Sequence, residues 1–437
     1  MCSYVSIARN LAASFVAGQF ESDAIVERGA QLLGRRWRWL RPLAIRVIEK
    51  FSKGPRPSHA SVVQFILRDH GFIRAYEKHN LQLIDLIGEA TEMSPIKKAQ
   101  PWTVPIINNI AELADWLGIT MGHLEWFADL NSLEYKCNRG RLRHYHYRPL
   151  AKRFGSVRLI EAPKARLKEI QRKILSGLLD QIPAHEAAHG FQRKRSVKTF
   201  AACHVGKSVV LRMDLHDFFP SITLSRVRAV FRSTGYHESV SDLLAGLCTN
   251  CAPLDVWENL VPSGPGRQSI MLYSQPHLPQ GAPTSPALAN LIAYRLDCRL
   301  SALAHSAGAV YTRYADDCAF SGGPEFFRIV KRFACHVGAV VMDEGFSVNF
   351  RKTRIMREGV RQKLAGLVVN EKTNFPRADY DRLKATLVNS IKHGPESQNR
   401  TQHRDFRAHL LGRISFIEML NPNRGRKLRQ LFQGIAW

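Results

Sequence analysis

Residues 311–322 read YTRYADDCAFSG, with two aspartates side by side between two short apolar runs. GAVYTRY (308–314) and CAFSG (318–322) are rich in residues that suit a half-buried pleated surface, and ADD between them has the character of a turn. A hairpin of this kind sets Asp316 and Asp317 close together at an exposed tip. Taken alone, the pair reads equally well as an ordinary aspartate-bearing surface turn. The alternative makes a further demand. Repelling carboxylates become favourable together when they share divalent cations, so a third carboxylate is expected on a neighbouring strand.

SVVLRMDLHDFFPSIT (208–223) meets that demand, as a continuous apolar strand ending at Asp214 and followed by an aromatic pair and a turn. Asp217 follows closely but reads as a helix-starting residue. Asp214 with Asp316 could hold two magnesium ions roughly 4 Å apart, one activating a hydroxyl and the other neutralising a leaving pyrophosphate. Magnesium keeps several waters and takes few carboxylates, which suits so sparse a donor set. Residues 221–236 then form an expected helix with Leu224, Val227, Val230 and Phe231 on one face and Gly235 as its stop. Between the two aspartate elements lies LPQGAPTSPALANLIAYRLDCRL (278–300). Here Gly281 and two prolines force an irregular loop, and Ser285 before Pro286 reads as a cap with a first-turn proline. The helix that follows places Leu288, Leu291, Ile292 and Leu296 on one face, and Gln280 can reach a base pair or a sugar edge.

DLHDFF, LPQGAPTSP and YADD, in that order and spacing, resemble the palm of a reverse transcriptase. The likeness extends upstream through RLIEAPKARLKEIQRKIL (158–175) and HGFQRKRSVKT (189–199), which resemble fingers segments. Downstream it runs through EGFSVNFRKTRIMREGVRQKLAGLVVN (344–370). Within that superfamily the chain is most similar to the bacterial retron type, related to group II intron enzymes. Two segments depart from the retron pattern. Phe200-Ala201-Ala202-Cys203-His204 stands where Asn-Ala-x-x-His is typical, and Leu364-Ala365-Gly366 stands for Val-Thr-Gly. Both segments belong to motifs the family ties to recognition of its RNA.

The resemblance implies an α+β right-hand polymerase. Residues 1–100 would be a helical N-terminal extension, 101–205 the fingers with their leading helices, 206–375 the palm and 376–437 a helical basic thumb. It implies an RNA-directed DNA polymerase, a nucleotidyltransferase that uses two Mg2+ ions, for which Mn2+ can substitute. Asp214, Asp316 and Asp317 match the catalytic, metal-binding carboxylates, with Asp214 and Asp316 the direct ligands, and Phe219 matches the residue under the incoming sugar. Gln280 and Gly281 fall beside the nascent base pair, and Lys352 meets leaving phosphate charge as acid or cation. Arg158, Lys164 and Arg166 correspond to a triphosphate clamp. Implied partners are a structured template and primer RNA with its DNA product, deoxynucleoside triphosphates, and an effector or toxin protein in antiviral defence. His204 reads as a packed histidine rather than a catalytic one.

The whole chain agrees with a polyanion-binding enzyme. Its 437 residues, 45% hydrophobic, allow about two to four domains with sizeable cores. Lys and Arg number 63 against 37 acids, a net charge of +26, and an excess of that size points to phosphates through counterion release. Basic residues recur in 138–158, where His144, Tyr145, His146 and Tyr147 interleave with them, and in Arg424, Arg426 and Lys427 of NRGRKLRQ (423–430). No run reaches the roughly 20 apolar residues of a membrane span. The first residues lack the pattern of a signal peptide, so the chain is expected to be cytoplasmic with no membrane partner. Cys248 and Cys251 form a lone C-x-x-C that reads as a buried helix end rather than a zinc site. Residues 1–100 show helical periodicity and no catalytic motif. Neither a ribonuclease H domain nor a zinc-bearing homing nuclease is expected after the palm.

Overall fold

The computed structural model describes every residue except 1–3, 17–19, 52–56, 58, 80, 82–92, 137–139, 141, 152–156 and 259–270. The chain divides into two compact units, Met1–Ile182 with Thr223–Ser285 and Pro183–Ile222 with Pro286–Trp437.

The first unit begins with five helices, α1 (Tyr4–Val16), α2 (Ser22–Leu32), α3 (Leu40–Phe51), α4 (His59–Arg68) and α5 (His70–Lys78). Their apolar faces close on one core that includes Leu11, Phe15, Ile25, Leu40, Val47, Ile66 and Phe72. Two short helices follow, Ile110–Leu117 and Met121–Ala128. Gly118 ends the first in the left-handed conformation, and the Thr120 hydroxyl caps the second at His123 N (3.2 Å). An antiparallel hairpin, β1 (Tyr145–Ala151) and β2 (Val157–Pro163), leads into the helix Ala165–Gly177.

The second unit is built on a four-stranded antiparallel sheet in the order β4-β5-β3-β6. Its strands are β3 (Val209–Asp214), β4 (Ala309–Tyr314), β5 (Asp317–Gly322) and β6 (Arg354–Arg357). Side chains alternate across it. One face carries Phe320, which stacks on Tyr311 at 4.8 Å and meets Phe333 of the helix Pro324–Asp343 at 5.2 Å. Val210 and Ala319 on the other face pack with Phe200, Leu364 and Leu367. A small hairpin, β7 (Lys363–Leu364) and β8 (Leu367–Val368), turns through Ala365 and Gly366, both at positive φ, as a tight two-residue turn requires. Three helices, Arg377–His393, Phe406–Leu420 and Pro422–Gln433, close the chain around Leu383, Leu410, Ile414 and Leu428.

Two local expectations need correction. Ser285 does not cap a helix amide; its hydroxyl donates to the Pro279 carbonyl at 2.6 Å and so ties the irregular loop to the helix start. The apolar stretch after it is two helices, Ser285–Ile292 and Tyr294–Ser306, broken at Ala293. Cys248 ends the helix Glu238–Cys248, and both Cys248 and Cys251 are buried. Among the described residues no helix is long and apolar enough to cross a membrane.

Candidate active site

β3 ends on Asp214 and β5 begins on Asp317, and the register sets these two residues directly opposite each other. Tyr314 also faces Asp317 across the β4–β5 hairpin, so Ala315 and Asp316 alone make its turn. Ala315 takes φ 56°, a left-handed conformation that costs a non-glycine residue about 1 kcal/mol or more. Its surroundings enforce that turn. The segment through His189 runs alongside β4, with His189 N donating to Arg313 O and Arg313 N to Ala187 O, each at 2.7 Å. Gly190 then lies so near the turn that a Cβ there would stand 2.6 Å from Ala315 N. Only glycine fits.

Beneath the turn sits a fully buried arginine. Arg313 makes two bonds to Asp297 (2.7 and 2.6 Å), one to Asn290 Oδ1 (3.1 Å) and one to the Ala315 carbonyl (3.0 Å). Asn290 donates to the Gly190 carbonyl at 2.8 Å, and Tyr311 Oη donates to Asp297 at 2.8 Å. A buried ion pair survives the loss of water only with further hydrogen bonds to support it, and here Asn290, the Ala315 carbonyl and Tyr311 supply them. The tip is therefore not exposed as its sequence suggests. Asp316 and Asp317 are half-buried because the Gly190 segment covers the hairpin.

Charge divides the three carboxylates. Arg212, two residues before Asp214 and so on the same face of β3, grips Asp317 with contacts of 2.6, 2.8 and 2.9 Å. Lys352 Nζ lies 2.9 and 3.0 Å from the two carboxylate oxygens of Asp214. Burial pushes the Asp316 carboxyl up to about 6, with the charges of Asp214 and Asp317 adding to the effect. Three acids thus meet two cations, and Asp316 bears the uncompensated charge. Among the described residues no three such side chains converge into a ready-made metal cage. Arg212 engages Asp317 and the exposed Lys352 engages Asp214, so Asp316 is the carboxylate without a basic partner, and Asp214 beside it could join it in holding a cation. Two carboxylates, one buried and one half-buried, are few enough to fit magnesium, which completes its shell with water and substrate phosphate.

Phe219 is half-buried near this edge, its ring 5.6 Å from Phe218 and 6.2 Å from Phe191. Phe191 is exposed, at φ 60°, and also lies 6.4 Å from Tyr314. In the other unit, Glu161 N of β2 donates to Gln280 O at 2.9 Å, and a Cβ on Gly281 (φ 139°) would strike Glu161 O at 2.8 Å. The loop bearing Gln280 and Gly281 is thereby fixed along the hairpin that carries Arg158. Lys164 Nζ donates to Gly140 O (2.8 Å) and Arg166 meets Glu169 (3.2 Å), while Arg158 is half-buried on β2. Buried Glu161 accepts from Asn250 (2.7 Å) and His277 (2.9 Å), anchoring this corner.

The sequence reading missed Arg212, Arg313 and Asp297. A charge inside an apolar strand, as in VVLRMD and VYTRY, was the available signal. His204 is packed as expected, between Ser321 Oγ and Thr312 Oγ1 at 2.7 Å each. Arg424 lies over the Tyr380 ring at 5.0 Å, while Arg426 and Lys427 are exposed.

A family model described as reverse transcriptase (RNA-dependent DNA polymerase) matches residues 150–381, a span that contains the whole aspartate site. The chain belongs to the reverse transcriptases. The retron Mx65 reverse transcriptase of Myxococcus xanthus is 37% identical over 361 residues, covering 82% of this chain and 77% of the relative, so the chain is of the retron type. The retron Mx162 enzyme of the same organism is 37% identical over 334 residues, 73% of this chain and 65% of the relative. The retron Ec86 reverse transcriptase of Escherichia coli is 32% identical over 273 residues, 62% and 74%. The chain is accordingly an RNA-directed DNA polymerase of right-hand architecture.

Proposed function

We propose that this reverse transcriptase copies part of a dedicated structured RNA into a short DNA that stays joined to that RNA, in the cytoplasm and in defence against phage. The observation that carries the catalytic part is the half-buried, charge-uncompensated Asp316 beside Asp214. Asp214 and Asp316 would hold two Mg2+ ions, or Mn2+ in their place, while Asp317 on Arg212 keeps the pair oriented. When bound, the ions supply activation of the attacking hydroxyl and neutralisation of phosphate charge. Lys352, half-exposed on its bridge to Asp214, is placed to move to the leaving pyrophosphate as substrate phosphates draw it off. Phe219 lies beneath the incoming sugar, Gln280 and Gly281 beside the nascent pair, and Arg158, with Lys164 and Arg166, toward the triphosphate. Residues 101–205, 206–375 and 376–437 serve as fingers, palm and thumb, with Arg424, Arg426 and Lys427 on the nucleic acid.

Resemblance to retron enzymes supports priming from a 2′-hydroxyl within the RNA. That oxygen bonds to the α-phosphorus, pyrophosphate leaves, and a 2′,5′ branch remains. Phe200 and Leu364, where the chain departs from the retron pattern, are fully buried in one cluster, so their side chains adjust packing rather than touch RNA. A partner effector or toxin protein is part of the same reading.

Two experiments test it. Asp316→Asn should bind a primed RNA template as the wild type does and extend it about a thousandfold more slowly, the loss expected when several kcal/mol of charge stabilisation go. Wild-type extension rates in that variant would sink the assignment. Nucleic acid that copurifies with the protein from its native cells should be one abundant short DNA that reaches full mobility only after debranching. Unbranched DNA of mixed sequence would favour an intron-like or other defence reverse transcriptase instead.

A further inference from the structure

The five N-terminal helices carry no catalytic motif, yet their charge is strongly polarised. Residues 1–33 hold two basic and three acidic residues, whereas residues 34–80 hold eleven basic against three acidic. Part of that excess gathers on a groove of about 710 Å³ between α3, α4 and α5. Arg46 and Lys50 come from α3, Arg68 ends α4, and Arg74 lies on α5. Lys50, Arg68 and Arg74 are exposed. The one acid lining the groove is Asp69, and it is already spent. It is 8% exposed, accepts two bonds from Arg46 at 2.7 and 2.8 Å, and caps α5 at Phe72 N. At the same groove Phe51 and Phe65 meet edge to face, ring centroids 6.0 Å apart.

We infer that this groove is a second nucleic-acid site, which takes a single strand of the bound RNA. Cations from three helices line a trough rather than a plane, a shape and charge that a flexible phosphodiester chain can follow. The partly buried phenylalanines offer a face for an unpaired base, the combination by which proteins hold single strands without reading sequence. A bilayer is flat and would reach few of these groups, so an anionic membrane suits the trough poorly. The choice of RNA rests on the polymerase reading above; the groove's preference for a flexible polyanion does not.

The test uses the full chain, with Lys50→Gln, Arg68→Gln and Arg74→Gln combined. Binding is measured by anisotropy over a range of salt with an unstructured oligoribonucleotide and the matching oligodeoxyribonucleotide. Three lost contacts should flatten the slope of log affinity against log salt by about 2, at about 0.7 per single-strand phosphate. Extension of a saturating primed template should stay at the wild-type rate. An unchanged slope overturns the inference, as does binding by these residues of phosphatidylserine vesicles but not of either oligonucleotide. Loss of slope on DNA alone would assign the groove to the product strand and overturn the RNA assignment. Should the triple variant melt early, cross-linking of 4-thiouridine RNA to the wild type decides. Adducts within residues 46–74 uphold the groove, and adducts confined to later residues overturn it. A wild type that fails to extend any primer would instead undo the polymerase reading and leave the groove's binding result intact.

Discussion

At the scale of single residues, the site is a problem in unequal compensation. Asp214 has Lys352 and Asp317 has Arg212, while Asp316 sits half-buried between like charges. Asp316→Asn should therefore leave the metal-free fold intact or raise its Tm, since it removes a repulsion; a drop of several degrees would show that Asp316 is structurally bound in some other way. The neighbouring ring has a different task. Phe219 has the Phe218 ring 5.6 Å away and the Phe191 ring 6.2 Å away, so aromatic contacts help to position it. Phe219→Ala should raise incorporation of ribonucleotides relative to deoxyribonucleotides by roughly ten- to a hundredfold, the range that loss of steric exclusion in one pocket usually gives. Equal ratios in variant and wild type would place the sugar gate elsewhere.

At the scale of elements, the β4–β5 hairpin was legible because its strands and its carboxylates are local in sequence. Its support was not. Arg313 lies inside the quoted motif, but its partners Asp297 and Asn290 come from helices earlier in the chain, and Gly190 from a loop more than a hundred residues away. Periodicity reports which face of an element is apolar; it is silent on which distant charge will be buried against it. The same limit misjudged the exposure of the tip. Asp297→Asn leaves the Arg313 guanidinium buried without its counter-charge, and urea unfolding should show a loss of about 3–5 kcal/mol. His204 gives a second readout of the same sheet. Burial first, then the charges of His189 and Lys207, depress its pKa to about 3. An imidazole that must stay neutral to fold contributes stability fully above its unfolded pKa of about 6.5 and loses it as pH falls toward 3. Between pH 6.5 and 5 the wild type should lose about 2 kcal/mol more than His204→Gln. Parallel pH profiles of the two proteins would show that the histidine does not titrate on unfolding.

At the scale of the whole molecule, the net charge of +26 states the partner class but not where it touches. The three closing helices show how a sum over sequence misleads. Arg424, Arg426 and Lys427 read as one basic cluster, yet Arg424 lies over Tyr380, and its neighbour Arg429 is paired with Glu418. Arg426 and Lys427 are exposed on the same helix, on the side opposite the buried Gly425 and Leu428. Counterion release counts phosphates that are neutralised, not cations that exist, so these two side chains should carry the electrostatic contribution of this helix. Arg426→Gln with Lys427→Gln should reduce the salt slope for a primer–template duplex by about 1.8, at about 0.9 per contact, with little change in Tm. Adding Arg424→Gln should lower Tm through loss of the ring contact while moving the slope by less than either exposed residue does. The alternative is that nucleic acid pulls Arg424 off Tyr380 on binding. In that case the triple variant loses a further 0.9 or so of slope relative to the double, and Tyr380→Leu strengthens binding rather than leaving it unchanged.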